Sequence, residues 1–183
     1  MKLLLHCCCG PCSVSVIRAL LLEGLDEGLN CYFNNPNIQP SQEHQARVTA
    51  WRGLMDHYKL PAYEEPGYPL EDWLRAVASN HTARCEYCYA SRLEATAAQA
   101  AQLGCEAFST TLLISPYQNH QRLRELGEII AGRYKLSFFY RDWRPHFRPG
   151  QAAAREMGLY MQKYCGCIYS EKERYSGLLC SPS

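Results

Sequence analysis

The densest group of reactive side chains in this sequence directly follows a short apolar run. The stretch LLLHCCCGPCS, residues 3–13, contains Cys7, Cys8, Cys9 and Cys12, and its residues 9–12 read Cys-Gly-Pro-Cys. Thiols at this spacing can support thiol–disulfide exchange, a structural zinc site or an iron–sulfur cluster. Residue types alone leave all three chemistries open.

Two further cysteine pairs occur much later in the chain. Cys85 and Cys88 form a second Cys-x-x-Cys at the start of a predicted helix, where positions i and i+3 share a face. Cys165 and Cys167 flank a glycine, and they could form a strained, easily reduced disulfide or ligate a second iron. Isolated cysteines usually behave as small buried hydrophobes, and we predict no chemical role for the remaining three. These three are Cys31, Cys105 and Cys180.

Each chemistry makes different use of these pairs. A thioredoxin-like site at Cys9 and Cys12 would gain a lowered thiol pKa from the helix N-terminus, but it leaves Cys85 and Cys88 without a role. Zinc could take both Cys-x-x-Cys pairs, although a chain of this length builds a core without a metal. An iron–sulfur cluster would use one thiolate pair from each region. No dinucleotide-binding or Walker A glycine motif is present, so an NAD or ATP site is not indicated.

Composition narrows the class of protein. The 183 residues are 47% hydrophobic and 20% charged, which is typical of an ordinary globular protein. No apolar run approaches a membrane span, and the N-terminus lacks a signal-peptide pattern. We therefore expect a cytoplasmic protein without a membrane partner. In a reducing cytoplasm, eleven cysteines favour metal or redox chemistry over a disulfide framework.

Charge is nearly balanced overall, at +1, but the segment 133–155 is basic. It holds six arginines and lysines against the single acid Asp142, and aromatic residues are interleaved with them. Such a segment suits contact with an RNA or DNA strand, and it equally suits a solvated surface over core aromatics.

Hydrophobic periodicity predicts alternating strands and helices. The pattern favours an α/β fold with a doubly wound, mostly parallel sheet of the Rossmann-like or HUP-like type, helices on both faces and a cysteine-rich first strand–helix turn. The length of the chain suits one domain, or one domain with a small appendage. Predicted strands are 2–6, 29–34, 60–64, 107–114 and 137–140. Predicted helices are 14–27 with Ser13 as cap, 41–58, 68–79, 86–103, 119–134 and one beginning at 151.

Five segments together resemble one protein family in order and spacing. They are LLLHCCCGPCS, CEYCYASRLEATAAQA, FSTTLLISPYQN, YRDWRP and GLYMQKYCGCIYS. The sequence resembles epoxyqueuosine reductases of the QueH family from Lys2 to about Ser170. Gly10 stands where many members have alanine, so the Cys-Gly-Pro-Cys string resembles thioredoxin only by coincidence.

The resemblance implies an oxidoreductase of tRNA queuosine biosynthesis. It would reduce the epoxide of epoxyqueuosine, at the tRNA wobble position, to queuosine without cobalamin and with an external electron donor. Residues 1–183 would form one metalloenzyme domain, with a C-terminal segment of about 141–175 closing over the site. The resemblance implies a [4Fe-4S] cluster on Cys8, Cys9, Cys85 and Cys88, with Cys12 as a further candidate ligand. Cys165 and Cys167 would be a redox-active catalytic pair or would hold a second, mononuclear iron.

Several polar residues are candidates for contact with the tRNA. Residues after the strand near 107 could hydrogen-bond the flipped-out base, or they could simply satisfy turn chemistry. Basic and aromatic residues of the YRDWRP segment could contact phosphate and stack on a base. The first set is Thr110, Ser115, Tyr117 and Gln118, and the second is Arg141, Trp143 and Arg144. His6 is either a proton donor or a core histidine, and Asp142 could instead pin an arginine.

Overall fold

Strands and helices alternate along the chain. The computed structural model describes residues 1–179; Cys180, for which we predicted no role, lies outside them. The strands are β1 (Leu3–His6), β2 (Leu29–Phe33), β3 (Ala62–Glu64), β4 (Ala107–Thr110) and β5 (Ser137–Phe138). The helices are α1 (Gly10–Leu22), α2 (Ser41–Tyr58), α3 (Leu70–Val77), α4 (Arg84–Gln102), α5 (His120–Tyr134), α6 (Phe147–Glu156) and α7 (Ile168–Leu179). Within the described residues, none of these helices is long and apolar enough to cross a membrane.

The five strands form one parallel sheet in the order β3-β2-β1-β4-β5. The central strand β1 pairs with β2 on one side and β4 on the other, and Leu3, Leu4 and Leu5 are completely buried. Such a continuous apolar strand is what a parallel sheet covered on both faces requires. The strand order reverses between β1 and β4, as in Rossmann-like folds, and this confirms the predicted doubly wound architecture.

Two groups of helices cover the sheet. Helix α1 packs against α2 and α6, whereas α4 packs against α5. Right-handed crossovers on either side of the strand-order reversal place these groups on opposite faces. The carboxyl ends of β1 and β4 therefore open into a crevice between the two layers, where doubly wound folds bind their ligands.

Some predicted boundaries are confirmed and others are wrong. Helix α2 occupies the predicted residues 41–58. The strand predicted over 107–114 ends at Thr110, and Thr111–Ile114 form a 3-10 helix instead. The reason is local, because the Thr110 hydroxyl accepts a hydrogen bond from the backbone N–H of Leu112 at 3.1 Å and caps the turn.

The first helix begins four residues before the predicted start. Cys9 caps it, since its sulfur accepts a hydrogen bond from the backbone N–H of Cys12 at 3.4 Å. Pro11 is well suited to the first turn. Ser13, predicted as the cap, lies inside the helix and donates to the Cys9 carbonyl at 2.7 Å. The helix start therefore positions the cysteines directly.

Helix α5 provides a matched pair of glycines for testing the packing of the sheet edge. A Cβ at Gly127 would lie 2.5 Å from ring carbons of Phe138 in β5, whereas one at Gly132 meets nothing within 4 Å. We expect Gly127→Ala to lower the free energy of unfolding by about 1–3 kcal/mol through overpacking. Gly132→Ala should raise it by about 0.5–1 kcal/mol, because alanine favours helix.

Urea unfolding of the two variants, measured on the metal-free protein, checks this difference. Equal stabilities of the two variants would contradict the packing of β5 on α5.

Candidate metal centre

Three thiols converge at the turn between β1 and α1. The sulfur atoms of Cys8, Cys9 and Cys12 all lie within 4.8 Å of one another, and those of Cys8 and Cys9 are 3.7 Å apart. Cys9 and Cys12 are buried, and Cys8 is partly buried. Because Cys9 caps helix α1, the helix start fixes this group at the crevice of the sheet.

One of these thiols is primed to carry negative charge. The thiols of Cys12 and Cys9 donate hydrogen bonds that hold the pKa of Cys8 well below its usual value. Burial raises the pKa of Cys9 well above its usual value. A thiolate at Cys8 is the form that binds a soft metal.

Other side chains direct hydrogen bonds at the predicted ligand sulfurs. The Thr111 hydroxyl donates to Cys8 Sγ at 3.3 Å, and the Gln162 amide donates to Cys9 Sγ at 2.8 Å. The indole N–H of Trp73 donates to Cys88 Sγ at 3.4 Å. Hydrogen bonds to ligand sulfurs orient a metal site and tune its potential. The donor set therefore suits thiolates that hold a thiophilic metal.

A second group of cysteines forms around the start of α4. Cys85 is exposed and Cys88 is buried, one helical turn apart. Cys88 packs with Cys167 and Trp73 in a small apolar cluster. Burial raises the pKa of Cys85 and of Cys88, and the charges of Cys165 and Cys167 act on both thiols. The structure thus brings the C-terminal pair to the second Cys-x-x-Cys.

A cavity of about 250 Å³ lies beside the first group of thiols, at the crevice where β1 and β4 diverge. Cys8, Cys12 and Cys165 all line this cavity, whereas Cys85 and Cys88 do not. The predicted substrate residues Ser115, Tyr117 and Gln118 also line it. Three of the sequence-predicted thiols and three of the predicted substrate residues therefore meet at one cavity.

The four predicted cluster ligands do not come together as one group in the structure. Cys8 and Cys9 lie together, but the tight group that they form includes Cys12 and not Cys85 or Cys88. None of the ten cysteines among the described residues forms a disulfide, and this includes the predicted redox pair Cys165 and Cys167.

His6 and Thr110 form a satisfied buried pair beneath the cysteine turn. Both side chains are completely buried. The Thr110 hydroxyl donates to His6 Nδ1 at 2.8 Å, and His6 Nε2 donates to the Asn34 carbonyl at 3.0 Å. Burial, reinforced by the charge of Arg92, lowers the pKa of His6 to about 4. His6 is thus the core histidine of the two alternatives, and the substrate role suggested for Thr110 is corrected because its hydroxyl is engaged.

The YRDWRP segment also differs from its predicted role. Trp143 is only 1% exposed, so its indole cannot stack on a base as suggested. Arg141 pairs with Glu23 and lies 5.1 Å above the Trp143 ring. Arg144 donates to Asp142 at 2.8 Å and lowers the pKa of that carboxyl to about 2. Asp142 therefore pins an arginine, which was the alternative role considered for it.

Sequence reasoning missed the residues that hold the C-terminal cysteines in place. Arg47, buried in α2, donates to the carbonyl of Cys165 at 2.8 Å and to that of Tyr164 at 2.9 Å. The backbone N–H of Gln39 donates to the Gly166 carbonyl at 2.8 Å. The one available signal was Glu43 four residues before Arg47, a spacing that allows an ion pair on one helix face.

Comparison with known proteins identifies the family. Residues 3–173 match the family model described as epoxyqueuosine reductase QueH. The chain belongs to the QueH family.

Relatives named epoxyqueuosine reductase QueH are similar to this chain over more than nine-tenths of its length. The chain is 38% identical over 174 residues to the epoxyqueuosine reductase QueH of Dehalococcoides mccartyi, covering 95% of this chain and 94% of that protein. It is 35% identical over 182 residues to the QueH of Thermotoga maritima, covering 93% and 91%. The QueH of Acinetobacter baylyi is 31% identical over 181 residues, covering 94% and 81%. Members of this family are oxidoreductases by name, so the chain is an enzyme of that class.

Proposed function

We propose that this QueH chain reduces the epoxide of epoxyqueuosine at the wobble position of tRNA to queuosine, without cobalamin and with a [4Fe-4S] cluster. The observation that carries the proposal is the cavity at the sheet crevice, where Cys8, Cys12 and Cys165 meet residues suited to a nucleoside. A tRNA substrate also makes the cytoplasm the expected compartment.

The cluster is assigned to Cys8, Cys9, Cys85 and Cys88. Hydrogen-bond donors directed at the sulfurs of three of these residues support soft, anionic ligands there. Cys12 remains a further candidate ligand, since its sulfur belongs to the tight group of three. Assembly of the cluster would have to draw Cys85 and Cys88 toward Cys8 and Cys9.

Epoxide deoxygenation needs two electrons and two protons for each alkene and water formed. The bound cluster supplies one-electron transfer from an external reductant. Oxidation of Cys165 and Cys167 to a disulfide would release the two electrons and two protons of one turnover. Two electrons from the external reductant, passed singly through the cluster, together with two protons would then return the disulfide to the two thiols. Cys165 is exposed beside Gln118, whose amide lies 3.8 Å from its sulfur, and Cys167 is buried. Their alternative role is to hold a second, mononuclear iron.

The C-terminal segment 141–175 closes over this site in the proposal, and residues 1–183 act as one metalloenzyme domain. Gln162 in this segment reaches Cys9, and Lys163 and Tyr164 line the cavity with Cys165. Phe147 lies at the rim with Tyr117, their ring centroids 6.1 Å apart. The segment therefore supplies one wall and part of the mouth.

The exposed ring of Tyr117 gives a test of tRNA binding. Its side chain is 84% exposed at the cavity mouth, where a nucleotide beside the flipped base can stack. A base–aromatic stack contributes about 1–3 kcal/mol, so Tyr117→Ala should weaken tRNA binding about 5- to 150-fold. Tyr117→Phe keeps the ring and should bind like the unaltered protein.

Filter binding at fixed salt measures both Tyr117 variants. Equal affinities of the alanine and phenylalanine variants would remove Tyr117 from the tRNA surface.

An anaerobic assay tests the proposed function itself. Protein reconstituted with iron and sulfide is given tRNA that contains epoxyqueuosine and a chemical reductant, and nucleosides are quantified by mass spectrometry. We expect conversion to queuosine without added cobalamin, and no conversion would refute the proposed function. The same preparation distinguishes the proposed function from two alternatives. A metal-free protein that reduces disulfides would be a thiol–disulfide oxidoreductase, and a colourless zinc protein without turnover would be an RNA-binding module.

The zinc alternative has one structural observation in its favour. Two sulfurs of a tetrahedral zinc site lie about 3.8 Å apart, as follows from Zn–S bonds of about 2.3 Å. The sulfurs of Cys8 and Cys9 are separated by 3.7 Å. The thioredoxin-like alternative is weaker, because Cys9 is completely buried and a nucleophilic thiol has to be accessible.

A further inference from the structure

Two buried arginines flank the cavity, and they differ in their partners. Arg47 and Arg92 are each 3% exposed, and both line the cavity wall. Arg47 forms an ion pair with Glu43, with the atoms 2.7 Å apart. Arg92 forms no salt bridge to any carboxylate of residues 1–179.

The hydrogen bonds of Arg92 go to neutral groups. Its Nε donates to the Cys88 carbonyl at 3.0 Å, and its Nη1 donates to Asn35 Oδ1 at 3.4 Å. Its Nη2 has no hydrogen-bond partner within the described part of the chain. A cation withdrawn from water without a counter-ion is strongly destabilising, so a permanent positive charge here calls for an anion in the cavity.

The groups around this guanidinium identify the anion. Side chains of helical residues lean toward the helix N-terminus, so Arg92 reaches back along α4 toward Cys88. Cys8 and Cys12 share the lining of the cavity with it. Candidate sulfur ligands therefore lie both on its own helix and in the lining of the same cavity, and a thiolate-bound metal carries negative charge.

We propose that Arg92 is the counter-cation of the thiolate metal centre. The inference rests on the proposed function, because it requires a metal bound by these thiolates. The guanidinium offsets the negative charge of the centre, and it stabilises the reduced state more than the oxidised state because the reduced state carries one more electron. It therefore raises the reduction potential, which eases electron transfer from the external reductant.

The test compares Arg92→Met with Arg92→Lys, and it uses Arg75→Met as a control. Methionine keeps the helix propensity and the stem without the charge, whereas lysine keeps the charge. Arg75 lies on α3 with a side chain that is 75% exposed, so its loss removes the same charge from the surface. Each variant is measured metal-free and after anaerobic reconstitution with iron and sulfide.

For the reconstituted protein, we expect Arg92→Met to shift the potential negatively in a titration followed by electron paramagnetic resonance. It should also lose iron to a chelator about 10- to 100-fold faster, the usual effect of removing an outer partner of a metal site. Arg92→Lys and Arg75→Met should match the unaltered protein in both measurements. For the metal-free protein, Arg92→Met should unfold at a higher urea concentration, because a buried cation that has no carboxylate partner among the described residues has been removed.

Other anions give different results, and each of them would overturn the proposal. If Arg92 binds a tRNA phosphate, Arg92→Met weakens tRNA binding and reduces its salt dependence, while the potential stays unchanged. If it binds the oxygen leaving the epoxide, kcat falls with an unchanged potential. A metal-free Arg92→Met protein that is less stable than the unaltered protein would also refute the premise. Failure of the unaltered protein to hold iron would refute the proposed function first.

Discussion

Replacing Cys85 by serine is expected to abolish epoxide reduction while leaving the protein folded. A ligand exchange at the cluster should lower kcat by at least about 100-fold, since even outer partners of metal sites contribute 10- to 100-fold. The side chain is exposed in the first turn of α4, so the exchange of sulfur for oxygen leaves no cavity in the core. Reconstituted Cys85→Ser should hold less iron and lose the brown colour of the cluster.

Cys105→Ala provides the matched control for Cys85→Ser. Cys105 is a buried cysteine in the turn after α4, with no other cysteine acting on its pKa, which burial raises. We expect this variant to keep its iron content and turnover. The measurements are iron and sulfide per chain, queuosine formed per minute and tRNA affinity, the last of which should be unchanged in both variants. Full turnover by Cys85→Ser would show that the cluster assignment is wrong.

Replacing Arg47 by methionine is expected to release the turn that carries the C-terminal cysteines. The guanidinium donates to the carbonyls of Tyr164 and Cys165 and to Glu43, so one buried and two partly buried hydrogen bonds are lost together. Gly166 in this turn has φ +144°, and a Cβ there would lie 3.4 Å from Arg47 Nη1, so the turn passes close to the guanidinium. Displacement of a reacting group by about 1 Å can cost about 100-fold in rate, and we expect a loss of kcat of that order.

Measuring the free energy of unfolding distinguishes a positioning role of Arg47 from a role in folding alone. Loss of one partner of a buried ion pair costs about 3–5 kcal/mol, because Glu43 is left uncompensated. The double variant Glu43→Gln with Arg47→Met should recover much of the free energy of unfolding and none of the rate. Arg47→Lys should be intermediate, since one ammonium cannot replace a planar group that contacts three oxygens.

The rate of thiol alkylation in the metal-free protein reports directly whether the turn with Cys165 and Cys167 keeps its position. Cys167 is buried and Cys165 is exposed, so of these two thiols Cys165 should react quickly and Cys167 slowly in the unaltered chain. In Arg47→Met, peptide mass spectrometry should show Cys167 reacting nearly as fast as Cys165. Continued protection of Cys167 together with normal turnover would contradict the positioning role of Arg47.

The sequence predicted the scaffold well because local pattern controls it. The apolar run at Leu3–Leu5, the alternation of strands and helices and the cysteine turn after β1 were all readable, and the sheet confirms them. The boundaries at Thr110 and Cys9 were wrong for a local reason, because side-chain capping decided them.

The surroundings of the site could not be predicted because they are tertiary contacts. Arg47 meets the Tyr164 carbonyl across 117 positions of the chain, and Gln162 meets Cys9 across 153. Trp143 lies in a basic, aromatic segment that suits either RNA or a core, and only packing shows that its ring is buried. Residue type and spacing were enough to predict which thiols belong to the site. The side chains that hydrogen-bond to the thiols and to their backbone could be identified only from the folded structure.

Anomalous X-ray scattering at the iron edge, from crystals of the anaerobically reconstituted protein, tests the central claim most directly. The account predicts a four-iron cluster bonded to the sulfurs of Cys8, Cys9, Cys85 and Cys88, with α4 drawn toward the β1–α1 turn. A single metal ion on Cys8, Cys9 and Cys12, with Cys85 and Cys88 unbound, would contradict it.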